Sequence, residues 1–253
     1  MFNRGEYPMR NRFKIITISL LFFTISTVFA QNGNELLKRI DDKLMPESYE
    51  AYRKLINIEP NGRQKEFIVY TVKKGKDKMV MLFLSPASEK GRTTLRLGEN
   101  MWLYIPNVGK PIRITSLQSV TGGIFNNADI MQVDYNVEYD VEQLDTDTGG
   151  YILNLKAKNN TVAYDRLKMW ATKDEILVKI ECYSASGMLI KTLEFKETRD
   201  FGGGIVRPSV IETHSPLYKD YRSVMVYSQV KSRTFPDEVF TMNYMSRIES
   251  LRK

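Results

Sequence analysis

Along most of its length the chain alternates between apolar and polar residues with a period of two. In NVEYDVE, Val137, Tyr139 and Val141 oppose Glu138, Asp140 and Glu142. In SVMVYSQV, Val224, Val226 and Val230 share a face against Met225, Tyr227 and Gln229. That pattern predicts strands with one face toward a core. YRKLINI places Tyr52, Ile56 and Ile58 on one face, and the turns EPNGR and KKGKDK lead into KEFIVYTV and MVMLFL, which predicts two successive hairpins. TLRL, MWLYIP, PIRIT, NVEYDVEQL, YILNLKA, RLKMWAT, EILVKIECY, MLIKTLEF, VRPSVIETH, RSVMVYSQV and VFTMNYM read as further strands, most of them separated by Gly, Asn-Asn, Asp-Thr or Pro. The run Met101 to Ile105 breaks the alternation and is too short to span a membrane.

One helix is expected near the start. Asn34 is placed to cap it, Leu36, Leu37, Ile40 and Leu44 recur at helical spacing, and Pro46 marks its end. Ten or more strands with so little helix predict one antiparallel sheet that curls into a sandwich or a barrel. A barrel of that many strands encloses space that its own side chains do not fill, whereas two packed sheets fill each other. The pattern leaves both open. The longest irregular stretch, Ser116 to Asp134, is long enough to carry function, for instance at a cavity mouth.

The first thirty residues have the layout of a secretory signal peptide. Arg4, Arg10, Arg12 and Lys14 precede the apolar run Ile15 to Phe29, which closes with Val28-Phe29-Ala30. Residues 1–30 are therefore expected to be a cleaved leader and 31–253 a single exported domain. No Cys follows Ala30, so anchoring through a lipid on an N-terminal cysteine is not expected. The formal charge of +7 falls to about +4 without the leader. Basic residues are interspersed with acids, which argues against a nucleic-acid partner. The single cysteine, Cys182, lies in phase with Ile176, Val178 and Ile180 and reads as a small buried hydrophobe, so the domain is held by its core.

Candidate chemistry is sparse. His214 is the one histidine, no metal-ligand set accompanies it, and the Gly-x-Ser-x-Gly elbow of a hydrolase is missing. FGGGIV lacks the Lys-Ser/Thr and helix of a phosphate cradle and reads as a turn. DTDTGG resembles the start of a calcium loop, but Lys156 stands where the bidentate Glu belongs. No catalytic residue, cofactor or metal is expected.

SPASEKGRTTLRLGENMWLYIPNVGKPIRIT resembles the outer-membrane lipoprotein-sorting proteins, relatives of the LolA carrier. The resemblance rests on Phe83-Leu84-Ser85-Pro86-Ala87, Lys90-Gly91-Arg92, Met101-Trp102-Leu103-Tyr104-Ile105-Pro106 and Arg113-Ile114. It extends to the helix Leu36 to Leu44, the turn Pro60-Asn61-Gly62-Arg63 and Val239-Phe240-Thr241. The segment Thr121 to Ile130 departs from the family pattern and aligns only at a glycine, an aromatic and Asp129-Ile130.

The resemblance implies a mainly β fold: a half-open antiparallel barrel of about eleven strands, with a helical lid over an apolar cavity. It also implies a periplasmic carrier of lipid or lipoprotein acyl chains, working toward an outer-membrane acceptor or an RND-type exporter. The same fold serves a periplasmic regulator that binds an anti-sigma factor, which is the alternative. From strand phase, the cavity lining is expected to include Ile56, Ile58, Leu95, Leu97, Ile112, Ile114, Ile176, Val178, Ile180, Val224 and Val226, with Trp102 and Tyr104 at the lining or rim. One face of Met101 to Ile105 then meets the cavity and the other lies under a helix such as Leu36 to Leu44. Which face does which is left open. Twelve methionines suit a wall that adapts to flexible chains.

Overall fold

Alternating strands joined by short turns pair with their neighbours, and here they do so almost without interruption. The computed structural model describes residues 32–119 and 121–252; the expected leader, residues 1–30, lies outside them. A helix over residues 32–44 (α1) is followed by β1 (Ser48–Ile58), β2 (Gln64–Lys74), β3 (Lys78–Ser85), β4 (Thr93–Leu97), β5 (Asn100–Tyr104) and β6 (Ile112–Ile114). Two single-turn helices, α2 (Asn127–Ile130) and α3 (Tyr135–Glu138), interrupt the strands. The chain continues through β7 (Tyr139–Thr146), β8 (Gly150–Ala157), β9 (Arg166–Thr172), β10 (Leu177–Tyr183), β11 (Leu189–Asp200), β12 (Val206–Ser215) and β13 (Tyr218–Ser232).

The thirteen strands form one antiparallel sheet in the order β6-β5-β4-β3-β2-β1-β13-β12-β11-β10-β9-β8-β7. β6 and β7 are its two edges and do not pair, so the sheet is not closed into a barrel. The expected count of about eleven strands is therefore thirteen, and VFTMNYM is not one of them. That segment forms 3-10 turns at Asp237–Phe240 and Met242–Arg252, which bury Val239, Phe240, Met245 and Ile248 on one side at spacings no strand would give. NVEYDVEQL also divides, its first residues forming α3 before β7 begins.

Thirteen flat strands at about 4.8 Å spacing would stretch roughly 58 Å, far wider than a helix about 10 Å across. Yet one inner core joins Leu36, Leu37, Ile40 and Leu44 of α1 to Phe67 of β2, Met101 of β5, Leu153 of β8 and Leu193 of β11. The sheet must curl around α1 to achieve this. A second, outer core lies on the opposite face of β2 to β5, where Tyr70, Val72, Val80, Leu82 and Leu95 pack with Phe235, Val239, Phe240, Met245 and Ile248. Alternate residues of β3 therefore serve two cores: Met79, Met81 and Phe83 the inner, Val80 and Leu82 the outer. This is why the sequence there is apolar without alternation.

Two details differ from the helix expected at the start. Asn34 lies inside α1 rather than capping it, and its Oδ1 accepts the backbone N–H of Val141 at 2.9 Å. Gly33 presses so close to β7 that a Cβ there would sit 2.7 Å from Val141 Cγ1. Among the described residues, no helix is long and apolar enough to cross a membrane.

Candidate functional site

The site expected from strand phase is the inner face of the sheet, and the ladder decides which residues reach it. β1 pairs with β13 as Arg53 with Tyr227, Leu55 with Met225 and Asn57 with Ser223. All six are buried. The alternate set, Ile56 with Val224 and Lys54 with Val226, faces the other way and is only partly buried. Ile56, Ile58, Val224 and Val226 thus fall outside both cores.

The other expected lining residues divide between the two faces. Ile180 belongs to the inner core, and Ile114 packs against it. Leu95 is in the outer core, with Leu97, Trp102 and Tyr104 packed on it. A register shift between Leu177 and Lys179 puts Leu177, Ile180 and Cys182 inside. It leaves Ile176 half-buried and Val178 exposed. Ile112, on the short edge strand β6, is also exposed. In the Met101 to Ile105 run only Met101 is fully buried, in the inner core. Trp102 and Tyr104 are half-buried toward the 3-10 turns at the carboxy terminus, and Leu103 and Ile105 are half-buried outside both cores, so the run is not dry on both faces.

Counting apolar residues misjudged the phase of β1 because the inner face carries charge. Arg53, Lys73, Arg96, Lys191 and Arg207 are all at most 4% exposed. Most of them serve the long irregular segment, which runs through the interior and carries backbone carbonyls that need donors. Asn57 Nδ2 donates to the Thr121 carbonyl at 2.9 Å, and Lys191 Nζ to that of Ile124 at 2.6 Å. Arg53 Nη1 donates to the Ile130 carbonyl at 2.7 Å, and Arg96 Nη1 to that of Met131 at 3.0 Å. The sequence signal was present in YRKLINI and TLRL, where single basic residues stand between apolar ones. It reads equally well as an exposed face.

Three of these cations have buried carboxylate partners. Lys191 meets Asp129 at 2.8 Å, Lys73 meets Asp134 at 2.9 Å, and Arg96 pairs with Glu138. Asp129 also accepts the Tyr164 hydroxyl at 2.8 Å and the Asn126 N–H at 2.9 Å, closing a capping box on α2. Asp41 of α1 has backbone donors instead, the N–H groups of Tyr135 and Asn136. Burial pushes its pKa up to about 7 against those hydrogen bonds.

Space inside the arch is small. One gap of about 20 Å³ lies among Leu44, Met45, Phe195, Arg207, Met225 and Tyr227. A second, of about 10 Å³, lies among Tyr139, Tyr164, Ile180 and Cys182, and both border Asp129, Gln132, Tyr135 and Leu193. Each has room for about one water. α1 and the crossing segment occupy the volume in which the cavity was expected. An open groove of about 840 Å³ lies outside the arch and includes Ile58, His214 and Tyr218. Among the described residues, no cluster of three or more His, Cys, Asp or Glu could hold a metal ion.

A protein-family model described as "Uncharacterized protein" matches residues 75–247. A LolA superfamily protein from Nitrosomonas europaea is 26% identical, with a TM-score of 0.75 over 84% of this chain and 98% of its own. A DUF1329 family protein from Desulfovibrio piger shares the fold at 20% identity and a TM-score of 0.73, over 86% of this chain and 99% of its own. A Vibrio parahaemolyticus domain described as outer membrane lipoprotein-sorting does so at 17% and 0.71, over 86% of this chain and all of its own. No curated protein matches the sequence. On the matched region the chain belongs to the family of that model, and its sheet and these relatives give it the fold of the LolA superfamily.

Proposed function

We propose that the protein is an exported, periplasmic carrier that takes acyl chains of lipoproteins or other lipids into the arch. It would hand them to an outer-membrane acceptor or an RND-type exporter. The observation that carries this reading is α1. Its apolar stripe of Leu36, Leu37, Ile40 and Leu44 fills the curled sheet as an acyl chain would. Fully burying four such side chains is worth roughly 6–12 kcal/mol. A sixteen-carbon chain leaving water is worth on the order of 12 kcal/mol. Exchange of helix for chain is then near balance, which suits a carrier that must also release its load. α1 would act as the lid, and the cavity would open as it withdraws.

The surface ion pairs of α1 are consistent with such movement, and the buried hydrogen bonds of Asp41 and Asn34 are the holds it would have to break. Arg39 and Lys43 meet Glu175 at 2.7 and 3.3 Å at the surface, where ion pairs contribute little. The test is native mass spectrometry and lipidomics on protein taken from its own periplasm, with displacement of a bound fluorescent fatty acid as the second readout. Co-purified lipid and displacement are expected. Protein that carries no lipid and binds no fatty acid would overturn the reading.

A further inference from the structure

We infer that the arch holds an anion site at Arg207, so that its ligand is an amphiphile with a carboxylate or phosphate head. This rests on the carrier reading and specifies the chemical class of the cargo.

Arg207 is 1% exposed, and its Nη1 is buried without a hydrogen-bond partner. Its Nε donates only to the Pro208 carbonyl, at 3.3 Å. Among the described residues it forms no ion pair, although Lys73, Arg96 and Lys191 each have a carboxylate of their own. The guanidinium lies 3.9 Å from the centre of the Tyr227 ring, and Arg53 approaches the same ring at 5.6 Å. Arg53 is already engaged by Thr71 and the Ile130 carbonyl. Two guanidiniums therefore flank one phenol with no acid between them. Burial pushes the Tyr227 hydroxyl up, but the charges of Arg207 and then Arg53, and their hydrogen bonding to it, pull its pKa below the ordinary value.

A buried cation without a carboxylate is costly, and the unpartnered Nη1 is a donor for an oxygen of a carboxylate or phosphate. Arg207 also borders the gap of about 20 Å³. The remaining charge on that wall, Asp129, is neutralised by Lys191 and held by Tyr164, so it does not oppose an anion. Leu44 and Met45, at the end of α1, form another part of the wall together with Phe195 and Met225. Withdrawal of that end of the helix would extend the gap into an apolar channel with Arg207 at its closed end.

The test compares cis-parinaric acid with the corresponding alcohol, which has the same tail and no charge, on the full-length exported protein. The acid is expected to bind at least about ten-fold more tightly, the scale of one charge-assisted hydrogen bond. Arg207→Met should abolish that preference, while Arg207→Lys should keep part of it. Circular dichroism confirms that the variants fold, and the wild-type comparison needs no variant. Equal binding of acid and alcohol by the wild type would overturn the head-group site and leave the carrier reading standing. Binding of neither would overturn both. Inorganic phosphate alone supplies the remaining arm. If it raises the Tm of the wild type but not of Arg207→Met, with no preference between acid and alcohol, a free anion occupies the site and the amphiphile assignment falls.

Discussion

Asp41 Oδ2 accepts two hydrogen bonds from Asn136, one from the backbone N–H at 2.8 Å and one from Nδ2 at 2.7 Å. With the Tyr135 N–H on Oδ1 at 2.9 Å, one carboxylate ties α1 to the start of α3. Among the described residues, no ion pair includes it. Its pKa is about 7 in the folded chain against 3.8 in the reference state. Between those values the folded state binds more protons than the unfolded one, so stability falls as pH rises from about 4 to about 7 and then levels. Asp134, also raised, chiefly by burial, has the same sign. Thermal melts across that window should show Tm decreasing with pH, and Asp41→Asn should flatten the slope. An equal slope in the variant would assign the effect to other groups.

The sequence allowed the strand content to be read, because period and turn chemistry are local properties. The lining was less legible. A one-residue change of phase moves every side chain to the other face, and β1 offers two plausible faces. Tyr52, Ile56 and Ile58 look like a core, yet Arg53, Leu55 and Asn57 are the buried set, because a buried irregular segment needs their donors. The shift at Leu177/Lys179 is a second case: Val178 and Ile180 share a phase in the sequence but not in the sheet. The carboxy-terminal turns were read as a strand because Val239, Phe240 and Met245 are apolar, and only the outer face of β2 to β5 explains what they cover.

The outer core gives Trp102 a different role from the one expected of a cavity residue. Its ring packs against the cluster that contains Phe240 and Ile248, away from α1. In a Trp170→Phe background, a ligand entering the arch should leave Trp102 emission unchanged. Phe240→Ala should shift that emission to the red and cost roughly 3–5 kcal/mol of stability. An emission change on adding fatty acid to the otherwise intact protein would show that the outer face takes part in binding.

Lys191 and Asp129 form a pair with both side chains at most 5% exposed. Removing one partner leaves the other charged and buried, which typically costs about 3–5 kcal/mol, whereas removing both costs less. Lys191→Met should therefore lower the denaturant midpoint more than the Lys191→Met/Asp129→Asn double variant does. The coupling in that cycle, read from equilibrium unfolding, measures the pair. Additive losses would mean that Asp129 is held by Tyr164 and Asn126 alone.

Cys182 offers a probe of whether the arch opens. Its thiol is 1% exposed, borders the smaller gap, and is pushed well above its ordinary pKa, first of all by burial. A thiol in that state reacts with an aromatic disulfide reagent only after its surroundings separate. If only global unfolding exposes it, labelling should be slow in buffer and accelerate with denaturant as steeply as the unfolding equilibrium does. If α1 withdraws from an otherwise intact sheet, labelling should instead be faster in buffer and nearly independent of low denaturant, because little surface is exposed in that motion. Bound fatty acid then discriminates further. A chain that occupies the arch shields the gap and should slow the labelling, even though α1 is displaced.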